Sequence, residues 1–250
     1  MSVLTWRTSV LLLTLASPAI AMAACDSEPG PGVIWIACDK RGIDLHGVDL
    51  RGAILTRSNL ENADLRDALL TGAEFNLSNL KHAKLSGARI DNARLTGVDL
   101  SAADLSNTIA NGSTFNRARL VDADFSDAQL RKASFYQSEM TGARLPRAQL
   151  QGARLSQARA DKTDFTAADL RDADLQEAVL EHADMRRAIL RGANIEAASL
   201  LFTDLGEAQL AEARMVNANI SGAIFTNAKL DNTQWINRRR CRPGSVGECL

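Results

Sequence analysis

The chain has 250 residues, with 29 basic and 30 acidic side chains and a formal net charge of −1. That balance argues against the strongly basic face of a nucleic-acid-binding domain. Aromatic residues make up only 4% of the chain, few rings for an ordinary globular core but suited to a core of small, uniform side chains.

Residues 1–23 read as a secretory signal peptide and stand outside the fold. Arg7 supplies a positive start, residues 9–16 ("SVLLLTLA") an apolar centre, and Pro18 a break before the small residues of "AIAMAA". Reading Ala21-Met22-Ala23 as the exit places cleavage after Ala23. The apolar run is too short to span a bilayer; a buried first strand is the rival reading. Residues 24–42 are read as an N-terminal cap. They hold Cys25 and Cys38, while Cys241 and Cys249 follow the repetitive body. An even cysteine count in an exported chain reads as disulfides, and adjacent pairing, 25–38 and 241–249, closes a short loop at each end. The rival for Cys25 is lipidation, since "MAAC" loosely resembles a bacterial lipobox. That would anchor the chain to a membrane and leave Cys38 as an odd thiol. No metal site is expected, because no CxxC occurs and His46, His82 and His182 lie far from the cysteines.

From residue 43 the chain repeats every five residues. Of the 39 positions from Leu45 to Trp235 in steps of five, 24 are Leu, 6 Phe, 3 Ile, 3 Met and 1 Trp; only Ala110 and Ala160 are small. Two residues earlier, 28 of 39 are Ala. A helix fails this pattern, because a step of five rotates each large residue by roughly 140° and spreads the Leu series around the cylinder. A flat strand fails because five is odd and the apolar face would flip at every repeat. A short extended piece followed by a corner succeeds: Ala and Leu point inward, the residue between them points out, and two residues turn the chain. Ten of the 16 glycines fall two places after the large residue, where a tight turn favours them.

The text of Ala63-Asp64-Leu65-Arg66-Asp67 and Ala103-Asp104-Leu105-Ser106-Asn107 resembles the pentapeptide repeat proteins, and the resemblance spans residues 43–235. It implies an all-β fold, a right-handed quadrilateral β-helix with four pentapeptides per coil and about ten coils. Stacking at ~4.8 Å per coil gives a rod of roughly 47 Å. Phe115 and Phe135 would then stack in adjacent coils. Ala110 and Ala160 would leave either local slack or room for a neighbouring side chain. Each end needs a cap: residues 24–42 at one, where Trp35 and Cys38 fall in the large and small columns, and residues 236–250 at the other, beyond Trp235. The cap text is similar to that of exported bacterial members of the family.

A filled rod with short corners presents no convergent active site, so no catalytic, cofactor-binding or metal-binding residue is assigned, and the chain is not expected to be an enzyme. Asp44, Asp64, Asp104, Asp124, Asp164, Asp184 and Asp204 line up on one side. The resemblance implies Asp or Asn at that position, and a calcium site would need convergent oxygens. The three histidines are expected as exposed turn residues. Among outward apolar residues, Leu201, Phe202, Val216 and Val179 form a candidate interface for a protein partner or a second copy. The resulting expectation is a secreted or periplasmic, non-enzymatic scaffold that binds an unknown protein partner or itself, does not bind nucleic acid, and touches a membrane only if Cys25 is lipidated. The alternative implied by the resemblance is a DNA mimic that protects gyrase. The near-neutral charge, mixed-sign sides and export signal speak against it.

Overall fold

The computed structural model describes residues 25–250; the signal-peptide reading of 1–23 lies outside them. Every parallel β-bridge joins residues 20 apart, from Ile34↔Ile54 to Arg214↔Gln234, so four pentapeptides close each coil of a square. The outward residue of each pentapeptide defines a face. Face 1 carries Asp44, Asp64 and onward to Ile224; face 2 Asp49 to Lys229; face 3 Ile34 to Gln234; face 4 Asp39 to Asn219. Corners 1–4 follow the faces of the same number.

The corner geometry explains the period. In a typical unit the amide of Ala53 donates to the Leu50 carbonyl, 3.0 Å, closing a four-residue turn, and its third residue, Gly52, has φ +65°. Positive φ at that place alone is the type II signature. Corners without glycine hold the same conformation, as at Asn62 (59°) and Asp67 (55°). Between coils, the Leu45 amide donates to the Asp64 carbonyl at 2.7 Å, the Gly47 amide to Arg66 at 2.8 Å, and the Asp64 amide back to Ile43 at 2.9 Å. In a repeat with a coil on either side, four of the five amides are thus bonded by backbone alone.

The core is the two inward columns, almost entirely solvent-free. Phe115 and Phe135 stack at 4.9 Å, 4° from parallel, and Phe125 meets both edge-on at 5.7 and 5.9 Å. Ala110 and Ala160 are fully buried, and each is followed five residues on by a fully buried ring, Phe115 and Phe165, so volume missing from one face is present on the next. Hydroxyls in the small column bond to backbone carbonyls across coils, such as Thr203 Oγ1 to Leu180 O at 2.7 Å. Among the described residues no buried side-chain N or O lacks a partner.

The ladder starts earlier than residue 43. Ile34 and Asp39 already pair with the next coil, and Trp35 and Cys38 are core residues. Only the stretch before Gly32 is a separate plug. It is bonded through Cys25–Cys38 and Trp35 Nε1, which donates to Ser27 O at 3.2 Å. At the far end the chain doubles back antiparallel, Gln234↔Arg240 and Lys229↔Val246, and Cys241–Cys249 closes the lid. Trp235 is only partly buried and tilts against Phe225 at 5.4 Å.

Candidate interaction surface

The fifth amide, at the first turn position, has no backbone partner, and in many repeats a side chain serves it, as along the acidic ladder of face 1. Asp44, Asp64, Asp104, Asp124, Asp164, Asp184 and Asp204 each accept from the amide two residues on, at 2.8–3.2 Å. This is the Asx-turn bond, which ties a short polar side chain to the backbone of its own turn. Arg144 interrupts the ladder where no amide needs service, because the residue two on is Pro146, which has no N–H and pre-sets the turn's φ. The column is therefore structural. Among the described residues no three His, Cys, Asp or Glu side chains gather as a metal site.

Charges on the faces pair locally. Asp64 holds Arg66, Asp169 holds Arg171, Asp184 holds Arg186, and Arg187 reaches Glu207 at 3.0 Å. The Arg66 guanidinium hydrogen-bonded to Asp64 lowers that carboxyl to about 2, and the Asp184 carboxylate holds Arg186 above its ordinary range. Carboxylates held ionised and guanidiniums held protonated are poorly placed to exchange protons near neutral pH. A groove of about 400 Å³ runs over face 1 and corner 1 where Gly206 carries no side chain. Its walls are these same pairs, Arg186 with Asp204 and Arg187 with Glu207, together with Ile224.

The exposed apolar residues divide the candidate patch. At corner 4 Phe202 is 59% exposed. Its ring stacks on His182 at 5.2 Å and 11°, and the opposite side rests over Gly222, where an added Cβ would lie 2.5 Å from Phe202 Cδ1. Leu201 and Val179 beside it are half-buried. Val216 does not belong: it is 8% exposed, on corner 3. It lies between the stacked positions of Glu196 and Ile236, and the Asn217 amide bonds the Ile236 carbonyl at 3.0 Å. The chain runs one corner past the last repeat and covers it. Sequence reading also missed the apolar residues exposed at the ends, Ile34, Ile36, Ile224, Val246 and Leu250. Ile224 was legible as the one apolar residue in the Asp column of face 1 after Asp164, Asp184 and Asp204. Of the histidines, His46 sits 3.3 Å from Asp67 at a corner, and His182 is a stacking platform rather than an isolated turn residue.

Two family models match the chain. One, described as a pentapeptide repeat region, covers residues 108–185; the other, described as pentapeptide repeats (8 copies), covers 43–76, 58–97 and 203–234. No curated protein matches significantly. Solved structures similar to the chain include HetL, a pentapeptide repeat protein involved in heterocyst differentiation regulation in the cyanobacterium Nostoc. It is 29% identical over 81% of this chain and 92% of its own, with a TM-score of 0.46. A trypsin-treated variant of QnrB1, a plasmid-mediated fluoroquinolone resistance protein, is 22% identical over 81% of this chain and 92% of its own, with a TM-score of 0.49. Rfr23, a pentapeptide repeat protein of the cyanobacterium Cyanothece, is 26% identical over 45% of this chain and 63% of its own, with a TM-score of 0.34. The repeat text, the 20-residue ladder and the family matches agree: the chain belongs to the pentapeptide repeat family and folds as its right-handed quadrilateral β-helix.

Proposed function

We propose that this chain is a non-enzymatic scaffold, exported to the periplasm or secreted, that binds a protein partner on one long side of its rod. The observation that carries this reading is Phe202. On a body many of whose charges are paired and whose outward positions are mostly polar, a large ring stands 59% exposed, held in place by His182 beneath and Gly222 above. A ring fixed before binding loses little entropy when it is covered, and such aromatics are the usual anchors of interfaces. Val179 and Leu201 extend the apolar area along face 4 and corner 4. The paired charges support the non-enzymatic part, since they leave the groove over face 1 without a group poised for acid–base work. They also weigh against mimicry of DNA, which needs a continuous acidic side; here arginines neutralise the face 1 ladder at Arg66 and Arg186.

The test is cross-linking in the native host followed by mass spectrometry, with wild type and Phe202→Asp compared. The expected result is a partner captured through corner 4 by wild type and lost in the variant. Unchanged capture by the variant refutes the assignment of the surface. The intact mass settles the compartment: a chain beginning near Ala24 supports export, and an unprocessed chain overturns it. A diacylglycerol adduct on Cys25 would relocate the scaffold to a membrane surface.

A further inference from the structure

The two ends of the rod differ in charge. Beyond Met215 the chain carries five cations, Lys229, Arg238, Arg239, Arg240 and Arg242, against the acidic side chains of Asp231 and Glu248 and the carboxylate of Leu250. Asp231 is already engaged, since its Oδ1 accepts from the Gly244 amide at 2.6 Å. The four arginines are exposed, and among the described residues none forms an ion pair or donates a guanidinium hydrogen bond. Along the rod, by contrast, Arg66, Arg171, Arg186 and Arg214 are held by Asp64, Asp169, Asp184 and Glu196. The plug at the other end carries exposed Asp26 and Glu28, and residues 25–39 include no cation. The first one, Lys40, lies over the Trp35 ring at 4.2 Å. Apolar side chains stand among the lid cations. Val246 pairs with Lys229 at the edge of face 2, and Arg240 with Gln234 at the edge of face 3. The Arg242 amide donates to the Leu250 carbonyl at 3.1 Å. Val246 and Leu250 are 52% and 53% exposed.

We propose that the lid docks the rod end-on to an anionic phospholipid surface. Each cation held near such a surface strengthens binding about fivefold. Four guanidiniums with no fixed partner suit a fluid array of lipid phosphates, which can gather around them. Val246 and Leu250 suit the same surface for a second reason: apolar side chains flanked by arginines can sink to the acyl boundary while the charges stay among the headgroups. Charge decides which end docks. Ile34 and Ile36 are also exposed at the plug, but there the neighbouring charges are Asp26 and Glu28, which an anionic surface repels. The contact needs no lipid on Cys25, which is bonded to Cys38. It leaves the four long sides of the rod free, and it does not rest on a partner at corner 4.

The test is co-sedimentation of the chain, purified from its host, with vesicles of phosphatidylglycerol and phosphatidylcholine in equal parts and with vesicles of phosphatidylcholine alone. Partitioning is expected to be at least about tenfold stronger on the anionic vesicles. It is expected to fall about tenfold between about 0.1 and 1 M salt, as the screening length shortens from ~10 to ~3 Å. Arg239→Gln with Arg240→Gln is expected to weaken it about 25-fold. The same loss of charge from the sides of the rod, by Arg57→Gln with Arg89→Gln, is expected to change it less than about twofold, because those side chains stand away from an end-on contact. Val246→Ser with Leu250→Ser is expected to weaken it about fivefold. Unchanged circular dichroism melts establish that the variants are folded. Equal binding to neutral vesicles overturns the proposal. Equal losses from the lid and side pairs also overturn it, since net charge and not the lid would then act. So does binding to heparin as tight as to anionic vesicles with no effect of the Val246 and Leu250 changes, which would make the lid a site for polyanions in solution.

Discussion

Replacing Asp64 separates the two duties of the face 1 column. Its Oδ1 accepts from the Arg66 amide at 3.2 Å, and its carboxylate holds the Arg66 guanidinium through contacts of 2.8 and 2.5 Å. The Asp64 side chain is 20% exposed and the Arg66 side chain 49%. An exposed ion pair of this kind contributes about 0.3–1 kcal/mol, whereas stripping the acceptor from a partly buried amide costs about 1–3 kcal/mol. Asp64→Ala loses both and is expected to cost about 2 kcal/mol. Asp64→Asn keeps the acceptor and loses only the charge, at about 0.5 kcal/mol. Urea unfolding followed by far-UV circular dichroism near neutral pH reads both. If Asn is as damaging as Ala, charge and not the amide bond explains the column; if Ala is neutral, solvent serves the amide and the explanation fails. The sign with pH follows from the depressed pKa. The folded carboxyl titrates at about 2 and the unfolded one near ~3.9, so its contribution is complete above about pH 4 and is lost as pH falls toward 2. Asp64→Asn is expected to remove that part of the acid sensitivity.

Three further outcomes follow from packing. Phe125→Ala removes a fully buried ring that meets Phe115 and Phe135 edge-on, and is expected to cost about 3–5 kcal/mol by urea midpoint; Phe125→Leu is expected to cost less while still losing the ring contacts. Gly222→Ala places a Cβ 2.5 Å from Phe202 Cδ1 at φ +70°. It is expected to cost about 1–2 kcal/mol in backbone strain and to abolish the ring-current shift between His182 and Phe202 by NMR, whereas Gly72→Ala, with nothing within 4 Å, carries the backbone cost alone. Breaking the disulfides by Cys25→Ser or Cys241→Ser opens loops with sequence separations of 13 and 8, expected to cost about 3 and 2.5 kcal/mol by loop entropy. In the Cys241 variant, amide hydrogen exchange is expected to rise first at Leu230 and Trp235, which donate to lid carbonyls.

The unbroken five-residue period by itself determined the short extended piece, the corner after it and both core columns, because each of these is a local geometry repeated without a slip. The square coil of four repeats, and with it the stack of Phe115 on Phe135 at a separation of 20, came from the resemblance to the pentapeptide repeat proteins. The spacing of the cysteines likewise indicated which pairs close the two short loops. The purpose of the Asp column was not legible, since it depends on which amide the square backbone leaves unserved. The start of the ladder at Ile34 was only half legible: Trp35 and Cys38 already fit the large and small columns, but Lys40 interrupts the large one. Val216 looked exposed by position and is covered, because the chain passes Ile236 over corner 3. The exposure of Ile224 depends on where the lid folds back. That is a single non-repeated contact between Lys229, Gln234 and the last residues. The period dictates everything a coil does to its neighbour, but at the ends there is no next coil, and only the tertiary path of the caps decides which groups are covered.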